Sequence, residues 1–193
     1  MKVIGFAGSP RKGGNSDLVL SALLAGAEEA GAQTQKVYLT DLELCGCDAC
    51  YVCRKEGRCH HDDDLAKIVS TLPDFDVWVL ATPVYWWTPS MPSKCLIDRL
   101  FSLCYGPNPK RIKGKKFVLI TASCDPPRES TPYIKGSMKK SMEFLGLEWA
   151  GEVLVQALKK GEVKKNPADL EKARKLGGKI VNKAKVEEAA AKA

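Results

Sequence analysis

Apolar residues along the chain fall into two kinds of run. Val3, Ile4, Phe6 and Ala7 form a short first strand, and Val77 to Ala81 (VWVLA) and Phe117 to Thr121 (FVLIT) are unbroken. Runs of that kind mark strands buried on both faces of a parallel sheet. Gln33 to Leu39 alternates, with Val37 and Leu39 on one face, and Glu148 to Gln156 reads as a fifth strand. Between them apolar residues recur at helical spacing. Leu18, Val19, Leu23, Leu24 and Ala27 form one such stripe, closed by Gly31; Leu96, Ile97, Leu100 and Phe101 form another. Asp62-Asp63-Asp64 caps a helix to about Leu72, Thr131 to Leu145 is helical, and Pro167 starts a last helix. Strands alternating with helices predict an α/β fold: a doubly wound, five-stranded parallel sheet of order 2-1-3-4-5, helices on both faces, one domain over residues 1–193. Two stretches fit neither period. Asp41 to Cys59 is rich in Cys and Gly and reads as a long functional loop, and Tyr105 to Lys116 is a Pro/Gly/Lys loop.

In such a sheet the loops after the first, third and fourth strands converge where strand order reverses. The first, Gly8 to Ser16 (GSPRKGGNS), runs from a strand through glycines to a helix N-terminus. Unpaired backbone N–H groups and the helix dipole make that a phosphate site. Ser9, Asn15 and Ser16 offer side-chain donors, and Arg11 and Lys12 offer charge. The spacing is neither Walker nor GxGxxG, which favours a monophosphate over a nucleoside triphosphate or dinucleotide. The second, Thr82 to Trp87, supplies Pro83, Val84, Tyr85, Trp86 and Trp87, a wall suited to a flat ring. The third is Ala122 to Asp125. A ring bearing a phosphate, FMN, is the economical ligand.

Composition changes this picture in two ways. With 45% hydrophobic and 27% charged residues the chain is ordinary for a soluble globular protein. It shows no apolar run near the roughly 20 residues of a membrane span and no signal-peptide pattern, so a cytoplasmic location is expected. There the eight cysteines fit metal ligands or redox groups better than disulfides. The net charge of +7 is uneven: residues 1–108 hold 10 basic and 13 acidic residues, residues 109–193 hold 20 and 10. The basic half has its lysines interleaved with glutamates, which argues for solvated helix faces over a nucleic-acid surface.

GSPRKGGNS followed by TPVYWW and IDR resembles the NADPH-dependent FMN reductase branch of the flavodoxin-like superfamily, over most of the chain. The resemblance implies that Ser9, Arg11, Asn15 and Ser16 hold the FMN phosphate. It also implies that Pro83, Val84, Tyr85 and Trp86 line the isoalloxazine ring with Ser123 nearby, and that the protein assembles as a homodimer or homotetramer. Asp98-Arg99 matches the family's pair at this point, with packing or an oligomer contact as its plain role.

Cys47-x2-Cys50-x2-Cys53-x5-Cys59 resembles the compact motif of the iron-sulfur flavoproteins within that branch. Four thiolates this close suit a 4Fe-4S cluster, which needs one sulfur per iron. Zinc is an alternative, though its paired ligands usually come from separated knuckles. Cluster-free relatives also carry a loop like Cys45 to Asp63. Cys45 is expected to be dispensable for iron; Cys95, Cys104 and Cys124 are expected to be buried thiols, and His60 and His61 exposed loop residues. The function expected is an FMN-dependent oxidoreductase of the iron-sulfur type, fed by NAD(P)H or a ferredoxin-like donor and reducing a small-molecule acceptor. The alternative is a cluster-free NAD(P)H-dependent reductase of quinones, azo or nitro compounds or free flavin. No residue stands out as an acid–base group.

Overall fold

The computed structural model describes residues 1–192, leaving Ala193 of the expected domain outside the described residues. In chain order its elements are β1 (Lys2–Ala7), α1 (Asn15–Glu29), β2 (Gln33–Tyr38), α2 (Val52–Glu56), α3 (Asp64–Thr71), β3 (Val77–Tyr85) and β4 (Thr88–Pro89). There follow α4 (Met91–Arg99), α5 (Asn108–Ile112), β5 (Lys116–Ser123), α6 (Pro127–Ser130), α7 (Pro132–Phe144), β6 (Glu148–Gln156) and α8 (Pro167–Lys192). The sheet runs β2-β1-β3-β5-β6 with every neighbouring pair parallel. Its five long strands therefore keep the expected 2-1-3-4-5 order. The addition is β4, a two-residue antiparallel partner to the end of β3, which shifts the numbering of the last two strands. Two short helices, α2 and α5, also interrupt stretches read as loop.

The unbroken apolar runs are buried on both faces because alternate residues enter two different cores. On one face Val3, Val79, Val118, Ile120 and Val153 pack with Leu20 and Leu23 of α1 and Ala173 and Ile180 of α8. On the other Ile4, Phe6, Trp78, Leu80 and Leu119 pack with Leu65 and Val69 of α3, Leu96 of α4 and Met138 and Met142 of α7. Asp63 caps α3 as its position predicts, accepting a 2.7 Å bond from the Ala66 amide. No helix among the described residues is long and apolar enough to cross a membrane.

Candidate functional site

The carboxyl ends of β1, β3 and β5 lie side by side, with Ala7 opposite Ala81 and Pro83 opposite Ala122, so their loops share one crevice. In the first loop Ser9, Asn15 and Ser16 are buried, while Arg11 and Lys12 are exposed. Helix α1 begins with three amides, those of Asn15, Ser16 and Asp17, that have no partner among the described residues, and the Ser16 hydroxyl has none either. Orphan donors at a helix start suit an anionic oxygen cluster, so the chemistry of this loop fits a phosphate. The Asp17 carboxylate, in the same turn, is occupied by the Gly13 amide (2.7 Å) and the Lys36 ammonium. The Asn15 carboxamide is committed elsewhere. It donates to the carbonyls of Ala157 (3.2 Å) and Lys159 (3.0 Å) and accepts from the Val163 amide (3.2 Å). Its side chain thus ties the loop after β6 to the site and leaves only its backbone for a ligand. Lys12 is paired with Asp41 at 2.6 Å.

A buried hydroxyl network joins this loop to the next. The Ser90 hydroxyl donates to the Gly8 carbonyl at 2.6 Å and lies 3.0 Å from the Ser93 hydroxyl, while the Ser90 amide donates to Thr82 Oγ1 at 3.1 Å. Gly8 admits no side chain, since a Cβ there would stand 1.9 Å from Ser93 Oγ. Beyond Thr82 the strand continues to Tyr85 and turns back through Trp86 (φ 50°) and Trp87 (φ 60°) into β4. Positive φ at both central residues is the hairpin geometry whose twist matches the flanking strands, at a backbone cost that Trp pays and Gly would not. The turn holds Trp86 86% exposed, and with Tyr133 it borders an open cleft of about 540 Å³. Ser123 is buried at the end of β5, its hydroxyl donating to the Asp125 carbonyl (2.9 Å) and accepting from Ser130 (2.8 Å). Cys124, expected to be buried, is exposed, because the chain leaves the sheet at Ser123.

Cys47, Cys50, Cys53 and Cys59 line one cavity of about 600 Å³, floored by Leu100, Phe101 and Met142. Tyr51 (φ 59°) and Gly57 (φ 68°) bracket α2, so the loop folds back and returns Cys59 toward Cys50 and Cys53. Burial pushes the Cys53 thiol up, and the thiolates of Cys59, Cys50 and Cys47 push it the same way. Four thiols lining one cavity are a donor set that fits iron or zinc. Cys104, half-buried rather than buried, lines the same cavity. Asp48, Cys50 and His60 also offer ligand atoms within 4.8 Å of one another. There the Cys50 thiol, then the His60 ring, hydrogen-bond the Asp48 carboxyl and hold it down at about 2. Cys45 stands apart: its sulfur lies 3.3 Å from His61 Nδ1 and 3.4 Å from Asp63 Oδ2. His60 is exposed as expected, whereas His61 is partly buried by this contact.

Residues 1–127 match the profile of the NADPH-dependent FMN reductases. The chain belongs to that family. An iron-sulfur flavoprotein of Archaeoglobus fulgidus is 32% identical over 182 residues, covering 93% of this chain and 79% of the relative. Another, of Methanocaldococcus jannaschii, is 39% identical over 99 residues, about half of each chain. Among solved structures, an NAD(P)H:quinone oxidoreductase from Methanothermobacter marburgensis superposes with a TM-score of 0.68 at 17% identity, covering 93% of this chain and 94% of that one, which speaks for the fold. As a member of the FMN reductase family and a relative of iron-sulfur flavoproteins, the chain is an FMN-dependent oxidoreductase.

Within this member of the FMN reductase family the sequence reading overlooked the group that holds the cysteine loop in place. Arg99, 36 residues from Asp63, makes a two-pronged pair with it: Nη1 to Oδ2 at 3.0 Å and Nη2 to Oδ1 at 2.9 Å. The same Nη1 donates to the Cys45 carbonyl at 3.1 Å. Burial alone would raise the Asp63 carboxyl, but the guanidinium and the amides of Ala66 and Cys45 hold it well below the usual carboxylate range. The signals were both visible, a cap residue and the Arg of IDR. Nothing in their spacing links them.

Proposed function

We propose that this FMN reductase is an iron-sulfur flavoprotein in which Cys47, Cys50, Cys53 and Cys59 hold a 4Fe-4S cluster beside an FMN crevice. The observation that carries the reading is that these four thiols line a single cavity while Cys45 turns away to Asp63 and Arg99. The amides of Asn15, Ser16 and Asp17, with Ser9, Ser16, Arg11 and Lys12, receive the FMN phosphate. Pro83, Val84, Tyr85 and Trp86 flank the ring, and Ser123 braces the neighbouring strand end. FMN supplies hydride and single-electron chemistry together, which suits a nicotinamide donor on one side and a one-electron cluster on the other. The chain's own part is to orient the ring against the Tyr85–Trp87 turn and to keep four thiolates at one point. Residues 1–193 act as one unit. NAD(P)H or a ferredoxin-like carrier is the donor, a small organic molecule the acceptor, a homodimer or homotetramer the assembly, and the cytoplasm the location that keeps these thiols reduced.

An anaerobic absorption spectrum with iron and sulfide analysis tests the reading. Flavin bands overlaid by cluster absorption, with about four irons per chain, are expected of a 4Fe-4S flavoprotein. Flavin bands alone after reconstitution with iron and sulfide would leave a cluster-free reductase of quinones, azo or nitro compounds or free flavin.

A further inference from the structure

Arg99 is the largest fully buried side chain outside the aliphatic core, with 1% of its side chain exposed. It closes α4, whose other end is tied through Ser90 to the Gly8 carbonyl of the phosphate loop. Its guanidinium forks onto Asp63 and fixes the carbonyl of Cys45, while the Cys45 amide donates back to Asp63 at 3.2 Å. One residue thus grips the cysteine loop at its entry and, through Asp63, at its exit into α3. The pair is also oriented. Arg99 is among the residues lining the thiol cavity, with Asp48, Asp98 and Lys140, and Asp63 is not, so the cation is the member of the pair at the cavity wall. The Cys59 thiolate is close enough to add to the charge holding Arg99 protonated, though burial opposes it first and the Asp63 contact dominates the gain.

We infer that Arg99 is a positioning residue for the cluster, with Asp63 as its brace: the fork sets the spacing of the loop, and the buried cation at the cavity wall raises the cluster's reduction potential. The inference rests on the iron-sulfur reading above. Adding an electron adds negative charge, and a fixed positive end favours the reduced form over the oxidised one. The two halves of the pair therefore have opposite effects on the potential. Arg99→Gln removes the cation and leaves the Asp63 carboxylate behind it uncompensated, which lowers the midpoint. Asp63→Asn leaves the cation uncompensated, which raises it. A role confined to packing would weaken the loop in both variants without reversing the sign.

The test is a dithionite titration followed by EPR on anaerobic holoprotein, with iron and FMN counted per chain and folding checked by circular dichroism. Wild type, Arg99→Lys, Arg99→Gln and Asp63→Asn are compared. Expected are normal FMN in all four, reduced iron in the last two, midpoints displaced in opposite directions from wild type, and partial rescue of iron by Arg99→Lys. If Gln and Asn variants lose all iron, alkylation of Cys47, Cys50, Cys53 and Cys59 in the metal-free proteins reports the loop directly. Faster labelling than in metal-free wild type supports the positioning role. Equal labelling, full iron with unmoved midpoints, or shifts of the same sign overturns it. A wild type that takes no iron at all overturns the cluster reading itself and is told apart by that control.

Discussion

At the scale of single residues, two neighbours in the first loop do different work. Ser16 is buried with a hydroxyl that nothing in the described residues occupies, so Ser16→Ala removes a donor that the proposed phosphate site would use. A hydrogen bond to a charged group is worth about 1.5–3 kcal/mol, so FMN affinity falls roughly ten- to a hundredfold, read by titration of apoprotein. Asn15→Ala breaks three bonds to the turn at Ala157, Lys159 and Val163. Its main effect is on stability, about 1–3 kcal/mol in a urea melt of apoprotein, for the partners left unsatisfied. Asp63 governs pH dependence. Its native pKa is depressed, so its stabilisation is in place above the unfolded value near 3.9 and is lost as pH falls through the native one. Unfolding free energy of wild type should drop steeply below about pH 4, and Asp63→Asn, less stable at neutral pH, should show a shallower slope there.

At the scale of elements, the regular parts were legible because each strand core is an unbroken apolar run. VWVLA and FVLIT could belong to no half-exposed strand, and the helices between them kept their stripes. The third strand was read four residues short. Thr82 to Tyr85 carry no apolar run, and a Trp-Trp turn lacks the Asn-Gly signature that announces a hairpin. Helix α2 was missed for a similar reason: five residues between Tyr51 and Gly57 carry no stripe. The hairpin makes its own prediction. Trp86 is almost fully exposed and sits at positive φ, where a side chain costs about 1–2 kcal/mol and glycine does not. Glycine's extra freedom when unfolded offsets part of that gain. Trp86→Gly should therefore leave stability equal or raise it by up to about 1 kcal/mol, while weakening FMN binding and the quenching of Trp fluorescence on FMN addition. Unchanged affinity and quenching would take Trp86 out of the ring's wall.

At the scale of the whole molecule, the phosphate loop and the thiol cavity are joined by one helix. Helix α4 leaves the crevice at Ser90, bonded to Gly8, and ends at Arg99 beneath the thiols. Nine residues at ~1.5 Å each put about 14 Å between its ends. The sequence showed the two ends as separate motifs, a turn rich in tryptophan and an Asp-Arg pair. The bridge between them depends on contacts with Gly8 and Asp63, 82 and 36 residues away. The same separation lets the two regions bind their groups independently, because no residue named for FMN lines the thiol cavity. Replacing Cys47, Cys50, Cys53 or Cys59 singly by Ser should therefore cost most of the iron while sparing FMN content and NAD(P)H oxidation by the flavin. Reduction by a one-electron carrier should be lost with the iron. Cys45→Ser should keep its iron, since that sulfur faces His61 and Asp63. Iron analysis, flavin absorbance and the two assays on the five variants decide the matter. Iron lost from Cys45→Ser and retained in Cys53→Ser would mean that the ligand set has been assigned to the wrong four thiols.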